Sequence, residues 1–273
     1  MEIESINNYF SHAHAEVEGW FFPLDQLAFF EVFRMQETLA VTGDVAEVGV
    51  YLGKSLILLS LLRNRNERLL GFDLFAEDHY EQCVSNLKKY GVEDEVILSK
   101  GLTSDLKRAH LASLIRSPVR FLHIDAGHEY HEVLEQLLLF SPYLAEQGVI
   151  AMDDYQDREF PGIEAAVLDF CELDRPRRFV PFLASGNKMF MCAAHMSDSF
   201  QKLLLPLPNF LDSCRLTRVR DFNILVMRSK LPVSSHDIEK QIDRVAFPRI
   251  SEDQESLNSK STMYSQIGFG AGE

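Results

Sequence analysis

No stretch of this 273-residue chain stays apolar for the ~20 residues that a membrane-spanning helix needs, so a membrane partner is not expected. The opening Met1-Glu-Ile-Glu-Ser-Ile-Asn-Asn8 has neither the basic nor the apolar segment of a secretory leader, and a cytoplasmic location is the expectation. Cysteine is scarce: Cys83, Cys171, Cys192 and Cys214 stand far apart, with no C-x-x-C pair and no histidine at ligand spacing. That pattern indicates neither a zinc knuckle nor a disulfide framework, and free thiols in a reducing compartment are expected. Positive charge is the deficient sign. With 27 Lys and Arg against 41 Asp and Glu, the net charge of −14 gives no basic footprint for a phosphate backbone, so nucleic acid is not an expected partner.

What is present suits a globular protein working on a small molecule. A hydrophobic share of 46% and a charged share of 25% provide one substantial core, hence one main domain. From Pro23 to Leu39 apolar residues recur at helical spacing, with Thr42-Gly43-Asp44 as a stop. Strand and helix then alternate: strands at 45–50, 68–73, 96–99, 119–125 and 149–153, helices at 55–62, 78–90, 103–115, 129–144 and 163–173. Such alternation predicts an α/β fold with a Rossmann-like, doubly wound and mostly parallel sheet. The runs 178–183 and 188–192, joined by Ala184-Ser-Gly-Asn187, predict a closing antiparallel hairpin, because Gly and Asn tolerate positive φ. The expected division is an N-terminal helical segment at 1–42, the main domain at 43–194, a C-terminal extension at 195–233 with a strand candidate at 222–227, and a polar tail at 234–273 without fixed structure.

Three acids fall where two successive strands should end: Asp125 in Phe121-Leu-His-Ile-Asp125, and Asp153 and Asp154 in Gly148-Val-Ile-Ala-Met-Asp-Asp154. Ligands gather at the carboxyl ends of parallel strands. Carboxylates meeting there repel one another unless a cation joins them, and an oxygen-only set suits a hard divalent ion such as Mg²⁺. Earlier in the chain, Glu47-Val-Gly49-Val-Tyr-Leu-Gly53-Lys54-Ser55 follows the first strand and opens a helix, whose free N–H groups can meet a ligand. A phosphate-binding P-loop fails here because only three residues separate Gly49 from Gly53, and a dinucleotide fingerprint fails because Tyr51 and Lys54 stand where glycines belong. Glu-x-Gly-x-x-x-Gly survives, with Asp73 ending the second strand, where a carboxylate can accept from two ribose hydroxyls.

These residues resemble the class I S-adenosylmethionine (SAM) dependent methyltransferases. The resemblance implies that Glu47, Gly49 and Gly53 shape the cofactor pocket, that Asp73 binds the ribose, and that Gly101 and Thr103 lie in the turn beside the adenine. The segment 121–130, the pair Asp153 and Asp154, and Phe160-Pro161-Gly162-Ile163 narrow the likeness to the metal-dependent O-methyltransferases of sugars and natural-product glycosides, the macrocin O-methyltransferase-like group, over about residues 20–194. That implies Mg²⁺ or another hard divalent cation on Asp125, Asp153 and Asp154, and His128 as the base, with Asp125 also catalytic. The acceptor would be a sugar or glycosylated small molecule, with Trp20, Phe21, Phe22 and the 155–161 loop as candidate walls, and a homo-oligomer is compatible with the likeness. His123 reads as a core histidine, and Lys54 and Ser55 as solvent contact and helix start. Two rival readings stand beside this one: a catechol-type phenol O-methyltransferase, and a non-catalytic module of the same fold.

Overall fold

The computed structural model describes residues 3–101, 108–205 and 213–228, with 234, 236–237 and 240. Nine strands form one sheet in the order β3-β2-β1-β4-β5-β7-β6-β9-β8. The parallel half comprises β1 (Asp44–Val48), β2 (Leu69–Asp73), β3 (Val96–Lys100), β4 (Val119–Ile124) and β5 (Leu144–Met152). Every residue of β1 and β4 is buried, as expected where helices cover both faces of a parallel sheet.

One face of the sheet shares a core with α1 (Ile3–Asn8), α3 (Pro23–Thr38), α4 (Lys54–Leu62) and α5 (His79–Lys89), while the single turn α2 (His14–Glu16) buries no residue. The other face packs against α6 (Arg108–Leu114), α7 (Tyr130–Phe140) and α8 (Pro161–Glu172). Pro23 begins α3, where a missing N–H costs nothing. Helix α4, Lys-Ser-Leu-Ile-Leu-Leu-Ser-Leu-Leu, is apolar nearly all round and accordingly buried. A capping box between Glu129 and Glu132 starts α7. This helix ends at Phe140, short of the expected 144, because Pro142 lies two residues on and β5 already begins at Leu144.

The anticipated hairpin is β6 (Phe179–Ser185) and β7 (Lys188–Ala193), turning at Gly186-Asn187, and β7 runs antiparallel beside β5. Past α9 (Ser197–Leu204), the segment expected as an extension adds β8 (Ser213–Val219) and β9 (Phe222–Arg228) to the same sheet, with β9 parallel to β6. Arg120 on β4 is fully buried. Its Nε and Nη2 each lie 2.7 Å from an oxygen of Glu67, and Nη1 lies 2.8 Å from Gln36 Oε1, joining α3, β4 and the approach to β2. No helix of the described residues is long and apolar enough to cross a membrane.

Candidate active site

The carboxyl ends of β1, β2, β4 and β5 open on a cleft of about 550 Å³. The turn after β1 forms one wall. Gly49 has φ +88°, and a Cβ there would stand 1.8 Å from the carbonyl oxygen of Asp125, so this crossing of β1 and β4 admits only glycine. Tyr51 also takes a positive φ, and Gly53, at φ +88°, caps the start of α4. Asp73 holds the turn: its Oδ2 accepts from the N–H groups of Val50 at 2.7 Å and Tyr51 at 2.9 Å, and its Oδ1 accepts from Phe75 N–H at 2.5 Å. The Gly101 N–H donates to the Asp73 carbonyl at 2.9 Å. A second hollow of about 330 Å³ shares Gly49, Asp73 and Asp125 with the first and continues past Leu74 to Gly127.

The acids form the opposite wall. Asp125, His128 and Asp154 bring one ligand atom each within 4.8 Å of one another, and so do His123, Asp125 and Asp153. Asp125 belongs to both groups, while Asp153 and Asp154 fall into different ones. Successive residues past a strand end point to opposite sides. Asp153 is buried; Asp154, with φ +51°, faces the cleft, where its Oδ2 lies 3.2 Å from His128 Nε2 and its Oδ1 accepts from Asn187 Nδ2 at 2.9 Å. Phe160 stacks on the His128 ring at 4.2 Å between centroids. The hydrogen bond to Asp154 raises His128 above the ordinary imidazole value, against the opposing effect of burial.

The electrostatics suit a cation. Burial, with the Asp153 carboxylate beside it, pushes Asp125 well above the carboxylate range. Burial would raise Asp153 too, but the Lys188 ammonium and His123 outweigh it and bring that carboxyl down to about 2. Joint ionisation of Asp125 and Asp153 is thus disfavoured unless positive charge offsets it. Oxygen donors that cannot all ionise alone, opening onto a cleft, fit a hard divalent ion.

Under the cleft floor lies a buried polar layer. Glu47 and His123 are register partners across β1 and β4, and Glu47 Oε1 lies 2.7 Å from His123 Nδ1. Glu47 is thus placed beneath the pocket rather than on its wall, and His123 is a core histidine with Nδ1 bonded to Glu47 and Nε2 3.9 Å from Asp153 Oδ2. Sequence reasoning missed Lys188 and Asp25. Lys188 Nζ sits 2.5 Å from Asp153 Oδ2 with its side chain 1% exposed. Asp25, in the first turn of α3, is wholly buried against the Gly186 backbone, and burial pushes it up to about 8 against the opposing pull of Lys188 and of the Asn187 backbone N–H.

Of the anticipated residues, Gly49, Asp73, Asp125, His128, Asp153 and Asp154 line the cleft. Gly53 lies behind it at the cap of α4, Gly101 adjoins Asp73, and Thr103 falls outside the described residues, as does most of the tail from 234. Trp20, 80% exposed, and Phe22 form the rim, Trp20 stacking on Tyr51 at 6.2 Å. Phe21 is core and wall together, buried against Phe29. Tyr155 is buried, so the 155–161 loop contributes Asp157, Glu159 and Phe160 instead. Lys54, expected at the solvent, donates to the Gly19 carbonyl at 2.7 Å and ties the N-terminal segment over the cleft, and Ser55 is buried in the wall.

Residues 46–155 match the family model described as a methyltransferase domain. The O-methyltransferase NovP is similar in structure at a TM-score of 0.51 and 18% identity, covering 62% of this chain and 80% of its own. An O-methyltransferase from Bacillus cereus, solved with SAH, is similar at a TM-score of 0.51 and 15% identity, covering 70% and 90%. The α/β fold is thus shared with O-methyltransferases. An uncharacterised protein of Acanthamoeba polyphaga mimivirus is 27% identical over 143 residues, which cover 50% of this chain and 64% of that protein's length.

Proposed function

We propose that the chain is a SAM-dependent O-methyltransferase whose acceptor is a hydroxyl, with a second oxygen beside it, on a sugar or glycosylated small molecule. One observation carries the reading: a single cleft has the Gly49–Gly53 turn with Asp73 on one wall, and Asp125, Asp154 and His128 on the other. The methyltransferase-domain match over residues 46–155 supports it, as does the fold shared with NovP and the SAH-bound Bacillus cereus enzyme.

SAM, when bound, supplies an electrophilic methyl on a sulfonium. Gly49, lacking a Cβ, lets it approach the backbone, and Asp73 keeps the turn in shape while lining the hollow that would take the ribose. The acids at the ends of β4 and β5 would hold a hard divalent ion such as Mg²⁺, which would supply Lewis acidity to an acceptor hydroxyl. His128 takes the hydroxyl proton as the oxygen–carbon bond forms and the sulfur–carbon bond breaks; its hydrogen bond to Asp154 favours the protonated ring that results. Trp20 and Phe22 offer flat apolar faces to a ring-bearing acceptor at the rim.

The test is a screen of deoxysugar conjugates and catechols for a one-methylene mass gain, run with SAM in the presence and absence of EDTA. Glycosides should be turned over in an EDTA-sensitive manner, and Asp125→Ala should abolish turnover while SAM affinity persists. Undiminished activity in the chelated enzyme would defeat the metal-assisted mechanism, and turnover of catechols alone would move the acceptor to phenols.

A further inference from the structure

Three carboxylates at adjoining strand ends call for positive charge, and the chain supplies one of its own. Lys188 opens β7 directly after the Gly186-Asn187 turn, which carries its side chain inward. Its ammonium lies 2.5 Å from Asp153 Oδ2 and 5.5 Å from the centre of the Phe21 ring, a cation–π distance in a desolvated place. The other oxygen of Asp153 accepts from the Asp154 N–H at 2.8 Å. Both oxygens of Asp153 are therefore engaged, one of them by a full positive charge. Asp154 points into the cleft toward His128, and only Asp125 belongs to both clusters.

We propose that Lys188 is a resident cation of the acidic centre: it neutralises Asp153 and holds it as a support, leaving Asp125 and Asp154 as the carboxylates that meet the divalent ion. The inference rests on the metal-assisted reading above and changes its ligand set. To reach Asp153 Oδ2, an incoming ion would have to displace the ammonium and face its repulsion. Lys188 thus acts as a positioning residue. It sets the net charge of the site, and with it the affinity for the ion, without touching acceptor or cofactor. Deleting its charge frees a buried carboxylate, and the site becomes a stronger cation trap.

The experiment is a titration of the full chain with Mn²⁺, following free ion by electron paramagnetic resonance, in wild type, Lys188→Met and the neutral pair Asp153→Asn with Lys188→Met. The single variant should bind Mn²⁺ about tenfold or more tightly than wild type, one added negative charge acting at close range. The double variant, in which a buried ion pair is exchanged for neutral groups of similar size, should stay within about threefold of wild type. Loss of Mn²⁺ in the double variant would make Asp153 a direct ligand and overturn the proposal, as would an unchanged affinity in the single variant. If Lys188→Met does not fold by circular dichroism, the double variant decides alone. A wild-type chain that binds SAM but takes up no Mn²⁺ defeats the divalent-ion reading by itself. In that case Mn²⁺ appearing in Lys188→Met upholds the resident ammonium, and its absence there overturns it.

Discussion

Replacing Asp25 with asparagine should stabilise the protein, and the gain should grow with pH. The carboxyl is wholly buried and raised to about 8 from its ordinary 3.8, burial being the main cause and Lys188 opposing it. An acid raised on folding holds its proton in the native state over a range where the unfolded chain has lost it. Its cost to stability is absent below the unfolded pKa, develops as pH rises toward the folded one, and is constant above that. Between about pH 5 and about pH 8 the unfolded chain is ionised and the fold is not, a span of roughly three units at about 1.4 kcal/mol each, so about 4 kcal/mol. Interior relaxation lowers this, and at least about 2 kcal/mol should survive. Urea denaturation of wild type and Asp25→Asn at both pH values measures it: the difference between the two proteins should widen in favour of the variant by that amount. Contributions of the amide itself, and of titrating groups not coupled to Asp25, cancel in this double difference. A difference independent of pH would show that Asp25 is ionised in the fold and paired with Lys188, and would refute the reasoning.

Two further outcomes are expected. Trp20 is the sole tryptophan of the chain and lies exposed at the cleft rim, so acceptor binding should change its emission, and Trp20→Ala should raise KM more than it lowers kcat; unmoved emission under saturating acceptor would remove Trp20 from the wall. Arg120→Met strips Glu67 and Gln36 of a fully buried partner and should cost about 3–5 kcal/mol in chemical denaturation, with partial recovery on adding Glu67→Gln; a loss under about 1 kcal/mol would mean that Glu67 is satisfied by the Gly43 and Asn64 N–H groups that also donate to it.

The alternation of strands and helices was legible because each fully buried parallel strand is a short apolar run set off by turns. The hairpin was legible because Gly186-Asn187 can be little else between two such runs. Strand β8 was not: Ser213-Cys-Arg-Leu-Thr-Arg-Val219 carries two arginines and pairs only with β9 at the end of the sheet, so its pattern resembles a loop. The cleft residues stood out because acids and glycines at strand ends have few other reasons to be there. The layer beneath escaped notice for a physical reason. Glu47 meets His123 only through the register of β1 on β4, a long-range pairing that local periodicity does not encode. Lys188 after a turn has the look of a solvated charge, and Asp25 in a first helical turn that of a solvated end. Each is buried because an element far along the chain folds over it, as the Gly186 turn does over Asp25.

At Gly49 the turn after β1 and the acidic strand end are separated by less than the width of a methyl group. The two halves of the cleft therefore cannot be adjusted independently: a shift in the loop from Gly49 to Gly53 moves the peptide carrying Asp125, and the reverse holds equally. Under the proposed reaction, variation in acceptor choice is then left to the parts free of that contact, the Trp20 rim and the loop bearing Phe160, while the alignment of donor and oxygen would stay locked to one crossing of two backbones.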